Sequence, residues 1–253
     1  MRIIGVIDLL GGRAVHARAG RRDAYEPVRS AAGTDIGSGD AVALASTYVD
    51  RLGLTELYAA DLDAILGRAP QDALVAAVAA VGVPLSLDAG VSSAGAARRA
   101  LALGAARVVV ALETLPSYEA LTEICAALGG ERVAFSLDLR DGEPVVADRG
   151  VPPGEPAHVV AARALDAGAG AVMVIDLARV GTGRGLDLEL IARVRAATPG
   201  VTLLAGGGVR GREDLVRLAD AGCDGALVAS ALHDGRIGAN DVAAARRHDS
   251  VSR

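Results

Sequence analysis

The chain has 253 residues, of which 51% are hydrophobic, and a formal net charge of −5 at pH 7. This length fits one large α/β domain or two small ones, and the absence of a basic stripe argues against a nucleic-acid partner. No apolar run of about 18 residues is free of charged and turn residues, so we predict no membrane span. Cys125 and Cys223 suggest no disulfide framework, and the first residues predict a strand rather than a signal peptide. Both observations favour a cytoplasmic protein.

All 26 basic residues are arginine, and the sequence contains no lysine. A Schiff-base mechanism requires the amine of a lysine side chain. The chain is therefore neither a class I aldolase nor another lysine-dependent lyase or synthase of similar size.

Strand-like apolar runs alternate with helical patterns along the chain. In chain order, we predict strands near residues 3–8, 56–61, 83–88, 107–112, 133–138, 171–176, 201–205 and 225–229. Helical patterns fall near residues 39–53, 69–82, 93–104, 117–128, 157–168, 186–197, 211–221 and 238–247. Eight such pairs predict an α/β fold of the (βα)₈ TIM-barrel class, with a doubly wound open sheet as the alternative. The long polar segment from Arg13 to Gly39 is typical of a lid or a disordered excursion.

Two pairs of segments repeat within the sequence. Residues 2–15 (RIIGVIDLLGGRAV) align without a gap with residues 132–145 (RVAFSLDLRDGEPV), and residues 89–115 align in the same way with residues 207–233. We therefore interpret residues 1–253 as a single domain built of two half-barrels, about 1–130 and 131–253.

Acidic residues end most of the predicted strands, where the active sites of such barrels form. They are Asp8, Asp61, Asp88, Glu113, Asp138 and Asp176. Any single one could instead cap a helix, which is a common role of aspartate. Because the repeat pairs Asp8 with Asp138, we predict that these two are catalytic, since two facing carboxylates suit acid–base chemistry.

Loops with glycines and hydroxyl groups follow the last three predicted strands. They contain Gly181 and Thr182, then Gly206, Gly207 and Gly208, and finally Ala229 and Ser230. Glycines let main-chain N–H groups approach an anion, and the loops after strands 7 and 8 are the usual phosphate site of these barrels. We predict that these residues bind a phosphate group.

These motifs resemble those of the (βα)₈ barrels of histidine biosynthesis, the ProFAR isomerase and the imidazole-glycerol-phosphate synthase cyclase. The segments VIDLLGG, YAADLDAILG, FSLDLRDG, GTGRG and LAGGGVR carry the resemblance, which covers nearly the whole chain. It implies an isomerase that converts a phosphorylated aminoaldose to an aminoketose in an Amadori rearrangement, with no cofactor and no metal. It also implies that Asp8 and Asp138 act as general base and general acid, although the residues themselves leave the two roles open.

The first half departs from the second where the resemblance implies another phosphate site. In the aligned repeat, Asp88 stands for Gly206, Leu112 for Ser230 and Glu113 for Ala231. Since carboxylates repel a phosphate dianion, we predict a substrate with one phosphate and a neutral or cationic group at this acidic end. Further candidate substrate contacts are Arg18, Asp61, Asp88, Glu113 and Asp176. The loop arginines Arg18, Arg21 and Arg22 would partly compensate the acidic charge.

Three alternatives stay open at this point. The segments VHARAG and YEPVRS also resemble an uncharacterised branch of the family that is associated with methanopterin-type one-carbon cofactors. The acidic rim could hold Mg²⁺ or Ca²⁺ in a metal-dependent lyase, or the barrel could bind without catalysis. The histidines His16, His158, His233 and His248 show no zinc spacing, and without a lysine at the barrel base we expect no glutaminase partner of the cyclase type.

Overall fold

The computed structural model describes residues 1–147 and 150–251, and for residues 247–251 it describes the backbone alone. Within these ranges, eight parallel strands form the barrel. They are β1 (Arg2–Leu10), β2 (Leu57–Asp61), β3 (Leu85–Asp88), β4 (Arg107–Ala111), β5 (Val133–Arg140), β6 (Ala171–Asp176), β7 (Thr202–Gly206) and β8 (Gly225–Val228). Each strand pairs with the next, and β8 pairs with β1, so the sheet closes on itself. The predicted barrel is confirmed, and the open sheet is excluded.

Helices on the outside connect successive strands. They are α1 (Ala41–Ser46, followed by a π turn, Thr47–Arg51), α2 (Asp72–Ala79), α3 (Ala94–Ala102), α4 (Tyr118–Leu128), α5 (Ala157–Asp166), α6 (Leu188–Ala197), α7 (Arg212–Asp220) and α8 (Ala239–Val251). Two further short helices follow β2 and β8, at Leu62–Ile65 and Ser230–His233. No helix in the described ranges is long and apolar enough to cross a membrane.

Hydrophobic residues fill two separate regions, one between the strands and the helices and one inside the barrel. The larger region includes Ile7, Leu9, Leu87 and Phe135, all fully buried. Inside the barrel, the core contains Ile4, Tyr58, Val109, Met173 and Leu204. Because side chains alternate along a strand, the inward row of β1 that begins at Ile4 continues through Val6 to Asp8. This alternation brings an acidic side chain to the mouth of an otherwise apolar barrel.

The segment from Arg13 to Gly39 is folded onto the barrel, so the prediction of a disordered excursion was wrong. Arg13–His16 forms a short strand that pairs antiparallel with β1. Glu26–Pro27 pairs antiparallel with Arg13–His16. Farther along, Ser30–Ala31 pairs with Thr34–Asp35. The Ala19 N–H donates a hydrogen bond to the Val180 carbonyl at 2.8 Å. The segment therefore ties the mouth of β1 to the loop after β6.

Candidate active site

The carboxyl ends of the strands surround one cavity of about 200 Å³. Asp8 on β1 and Asp138 on β5 both line it. Since β1 and β5 are the first and fifth of eight strands in sequence order around the barrel, the two carboxylates approach the cavity from opposite sides. The structure thus brings together the two residues that the sequence repeat paired.

Asp138 is the more deeply enclosed of the two, with an exposed fraction of 6%. The Ser136 hydroxyl donates to its Oδ1 at 2.9 Å, whereas its Oδ2 is buried without a hydrogen-bond partner among the described residues. Burial raises the pKa of Asp138 well above its usual range, and the neighbouring charges of Glu113 and Asp88 raise it further. A carboxyl group in this setting keeps its proton at neutral pH and can donate it.

Asp8 lies closer to solvent and closer to a cation. Burial raises the pKa of Asp8 to about 7, and the positive charge of Arg22 acts in the opposite direction. A substantial fraction of Asp8 is therefore ionised at neutral pH, as a general base requires. The two environments therefore differ in how readily each carboxyl group loses its proton, a difference that the sequence had left open.

Four acidic groups and one arginine surround the end of the cavity next to β3 and β4, which we call the acidic end (Asp88, Glu113, Asp138, Tyr58 and Arg22). The Arg22 guanidinium forms an ion pair with Glu113 at 2.7 Å. Burial raises the pKa of Asp88 to about 7. The Tyr58 hydroxyl has a pKa well above its usual range because of burial and of the charges of Asp88, Asp138, Asp8 and Glu113. The pKa values of Asp88 and Tyr58 therefore depend on the charges of their neighbours at this end.

Glycines and a serine line the opposite end, next to β7 and β8, which we call the glycine end (Gly206, Gly207, Gly208, Ala229 and Ser230). A Cβ atom on Gly207 would lie 2.6 Å from the Asp176 carbonyl oxygen, and one on Gly208 would lie 2.6 Å from that of Gly185. Both residues also have positive φ angles, +84° and +111°, so the path of this loop requires glycine.

Several donors at the glycine end have no protein acceptor. Among the described residues, the main-chain N–H groups of Gly207, Gly208 and Ser230 make no hydrogen bond within the protein. Arg236 also lines the cavity and carries a positive charge, which its ion pair with Asp234 partly offsets. Unpaired amides with a nearby guanidinium form a suitable site for a phosphate group.

Two histidines that lie far apart in the sequence meet behind Ser230. His16 Nε2 lies 2.7 Å from the Ser230 hydroxyl oxygen, and the His16 and His233 rings pack edge to face with centroids 5.2 Å apart. His233 Nε2 in turn lies 2.6 Å from the Tyr48 hydroxyl. Burial lowers the pKa of both histidines, that of His233 to about 4, so both rings are neutral at pH 7. His16 therefore orients the Ser230 hydroxyl.

Four of the predicted site residues do not line the cavity. Asp61 accepts hydrogen bonds from the Ala64 and Gln71 main-chain N–H groups, at 3.2 and 2.7 Å, and so fixes the turn after β2. Asp176 forms an ion pair with Arg179 and braces the loop after β6. The Thr182 hydroxyl donates to the Arg179 carbonyl at 2.8 Å, and Arg18 is exposed. Gly181, in contrast, lies at the cavity wall.

Several lining residues had no clear signal in the sequence. They are Tyr25, Tyr58, Arg140 and Arg236, and His16 contacts the site through Ser230. Of the loop arginines considered, Arg22 is the one that reaches the cavity. Tyr58 sits two residues before Ala60 on the inward face of β2, so strand alternation could have indicated it. Arg140 and Arg236 depend on loop geometry that leaves no pattern in the sequence.

The acidic groups do not form a metal site of ordinary composition. Within the described ranges, no three side chains of histidine, cysteine, aspartate or glutamate are grouped so as to hold a metal ion. Glu113 is paired with Arg22, and the Asp88 Oδ1 accepts the Gly90 N–H at 3.1 Å. The donor set of the acidic end thus offers little support for the alternative of a metal-dependent lyase.

Comparison with known proteins agrees with this geometry. The family model described as "Histidine biosynthesis protein" matches residues 2–238. A Thermus thermophilus protein named 1-(5-phosphoribosyl)-5-((5-phosphoribosylamino)methylideneamino) imidazole-4-carboxamide isomerase, the ProFAR isomerase, is 37% identical over 94% of this chain and 96% of its own length. A protein of the same name from Deinococcus radiodurans is 34% identical over 93% of this chain and 95% of its own length.

The cyclase is represented as well. A protein of Beutenbergia cavernae named imidazole glycerol phosphate synthase subunit HisF is 33% identical over 98% of this chain and 96% of its own length. The expectation of a barrel of this type with an isomerase-like sequence is confirmed, whereas the link to methanopterin-type cofactors stays a prediction. The chain therefore belongs to the histidine biosynthesis protein family.

Proposed function

We propose that the chain is an isomerase of the kind for which its relatives are named, and that it rearranges a phosphorylated sugar amine by acid–base catalysis in the cytoplasm. The observation that carries this proposal is the position of Asp8 and Asp138 on opposite sides of one cavity, one end of which is lined by glycines and Ser230. No cofactor and no glutaminase partner enter the proposal.

The two carboxyl groups divide the reaction between them. The protonated Asp138 donates its proton to the ring oxygen of the sugar as the bond between C1 and that oxygen breaks, which leaves an iminium at C1. The ionised Asp8 then removes the proton from C2, so that the electron pair of the C2–H bond neutralises the iminium. The resulting enolamine tautomerises to the aminoketose.

The phosphate contacts position the substrate and take no part in the proton transfers. With the phosphate held at the glycine end, the sugar lies between the two carboxylates, and this placement makes proton transfer effectively intramolecular. The hairpin after β1 covers part of the mouth through the Ala19–Val180 hydrogen bond and so restricts water around the iminium.

Turnover of the relatives' substrate tests the proposal. The purified chain is mixed with ProFAR and with versions of it that lack one phosphate, and formation of the aminoketose is followed by chromatography. We expect turnover of at least one of these compounds, and loss of that turnover in the Asp8→Asn and Asp138→Asn variants. Full activity of both variants would exclude the proposed roles.

A further inference from the structure

The acidic end occupies the position that corresponds to the glycine end in the sequence repeat. Asp88 aligns with Gly206, Gly90 with Gly208, and Leu112 with Ser230. If both halves served the same purpose, the acidic end would offer the same unpaired main-chain donors. The structure shows that it does not.

Internal acceptors already use two of the main-chain donors at the acidic end. The Gly90 N–H donates to Asp88 Oδ1 at 3.1 Å, and the Leu112 N–H donates to the Ser136 carbonyl at 2.9 Å. Their counterparts, the N–H groups of Gly208 and Ser230, have no acceptor within the described protein. The Leu112 side chain is fully buried and supplies no hydroxyl. A phosphate at the acidic end would therefore find no main-chain donor at these two positions.

The charges at the acidic end also disfavour an anion. Asp88, with an exposed fraction of 4%, lines the cavity beside Glu113 and Asp138. Arg22 reaches this end, and Glu113 already pairs with it at 2.7 Å. A phosphate dianion here would lie next to Glu113 and to Asp88, which is partly ionised at neutral pH, in surroundings that screen charge poorly.

One buried carboxyl oxygen at the acidic end has no partner. Asp138 Oδ2 is buried without a hydrogen-bond partner among the described residues, although Asp138 lines the cavity. Buried polar atoms in native proteins are nearly always paired, so Oδ2 of this protonated carboxyl group points to a neutral polar group that the substrate provides.

We propose that the acidic end binds a neutral or cationic hydrogen-bond donor, such as an amine, an amide or a hydroxyl group, and that the substrate therefore carries a single phosphate, held at the glycine end. This proposal rests on the proposed function, since it names the substrate class of the same site. It separates the chain from relatives whose names describe a compound with two phosphoribosyl groups.

Binding to three related compounds tests the proposal. They are ProFAR and its two forms that each lack one phosphate and carry a hydroxyl group instead. Calorimetric titration gives the Kd of each for the wild-type chain. We expect the better monophosphate to bind at least about tenfold more tightly than ProFAR, because one repulsive contact is removed. Equal or tighter binding of ProFAR would overturn the proposal.

A double variant locates the origin of the preference. Asp88→Gly with Glu113→Ala removes two carboxylates and releases the Gly90 N–H, so the preference for the monophosphate should fall to within about threefold. The matched control, Glu119→Ala with Asp220→Ala, removes two exposed carboxylates on α4 and α7 and should keep the full preference. A preference that persists in a folded Asp88→Gly, Glu113→Ala chain would overturn the assignment; if that chain does not fold, the wild-type titrations decide.

The number of bound phosphate ions is a second, independent measurement. Titration of the wild-type chain with inorganic phosphate should give one site, which Ser230→Ala weakens. Two equivalent sites would contradict the proposal. These binding measurements are separate from turnover: a chain that isomerises nothing can still show the preference, and a chain without the preference can still depend on Asp8 and Asp138.

Discussion

The two ends of the cavity place opposite chemistry at equivalent positions of the sequence repeat. At the glycine end, the main-chain N–H groups of Gly208 and Ser230 have no acceptor within the described protein. At the acidic end, the corresponding N–H groups of Gly90 and Leu112 are bonded to Asp88 and to Ser136. A repeated backbone can thus keep its path while a few substitutions remove the unpaired main-chain donors that an anion would use.

The same comparison shows which features the halves share. Both first strands, β1 and β5, carry an aspartate at the cavity two residues before their carboxyl ends. Each strand then continues into an antiparallel hairpin, with Arg13–His16 after β1 and Glu143–Pro144 after β5. The proposed catalytic pair therefore follows the repeat, whereas the two ends of the cavity depart from it. Four predictions test this distinction, in order of decreasing effect.

The largest effect should come from replacing Asp8 or Asp138, the aspartates that the two halves have in common. Asp8→Asn and, separately, Asp138→Asn should each lower kcat by about 10²–10⁴, because each removes one partner of the proton transfers. Steady-state kinetics on the substrate that the wild-type chain turns over would measure this. Asp61→Asn is the control: Asp61 lies outside the cavity and fixes the turn after β2, so its replacement should lower stability more than kcat.

The next effect concerns the stability of the acidic end. The folded-state pKa of Asp88 is about 7, against 3.8 for the free group. The folded state therefore holds this proton longer, and stability falls as the pH rises from about 4 to about 7. Asp88→Asn should raise the free energy of unfolding at pH 8 by a few kcal/mol, at about 1.4 kcal/mol per pKa unit, and change it little at pH 4.

Urea titrations at pH 8 and pH 4 would measure this difference. Asp72→Asn is the matched control, since Asp72 lies on α2 in an ion pair with Arg99 on the outer surface. Its effect should stay within about 1 kcal/mol at both pH values. An Asp88→Asn variant that is no more stable than wild type at pH 8 would show that the structure stabilises the Asp88 carboxylate better than its burial indicates.

A smaller effect should follow at the glycine end. Ser230→Ala should weaken phosphate binding by about tenfold, since it removes one hydrogen bond to a charged group. The equivalent change at the acidic end, Leu112→Ser, adds a hydroxyl group but leaves its N–H bonded to Ser136, so it should not create a second site. Titration with inorganic phosphate would compare the two variants, and a second site in Leu112→Ser would contradict the role given to the main-chain donors.

The smallest effect should appear in the pH dependence. Since Asp8 must be ionised and its pKa is about 7, kcat/KM should rise with pH through about 7. Arg22→Ala removes the positive charge that lowers the pKa of Asp8, so this rise should move to higher pH. Arg22→Lys keeps the charge and should leave the rise near its wild-type position. A pH profile that is the same for all three chains would show that Arg22 does not act on Asp8.

Much of the fold and part of the site could be predicted because they depend on local patterns. Apolar runs and helical periodicity place the strands and helices within a few residues, since burial imposes these periods on the sequence. The boundary between half-barrels near residue 130 stays an interpretation of the repeat. The same pattern found Asp8 and Asp138, and the glycines of β7 stood out because few other residues tolerate their backbone angles.

Other contacts depend on chain segments that meet only in three dimensions. Nothing near Arg22 in the sequence indicates that it pairs with Glu113, 91 positions away. The hydrogen bond between His16 and Ser230, which are 214 positions apart, also has no signal in the sequence. Conversely, Asp61 and Asp176 lie near the ends of their strands, as Asp8 and Asp138 do. Their carboxylates nevertheless accept hydrogen bonds from nearby main-chain N–H groups and do not line the cavity.

The sequence alone determined the barrel, the pair of aspartates and the asymmetry between the halves, because hydrophobic period, repeat alignment and residue type are local properties. The tertiary structure decided which carboxylates face the cavity, which main-chain donors are free and which arginine balances the acidic end. These depend on how loops from different strands pack over one opening, since hydrogen bonds and charge interactions act over a few ångströms in space whatever the separation along the chain.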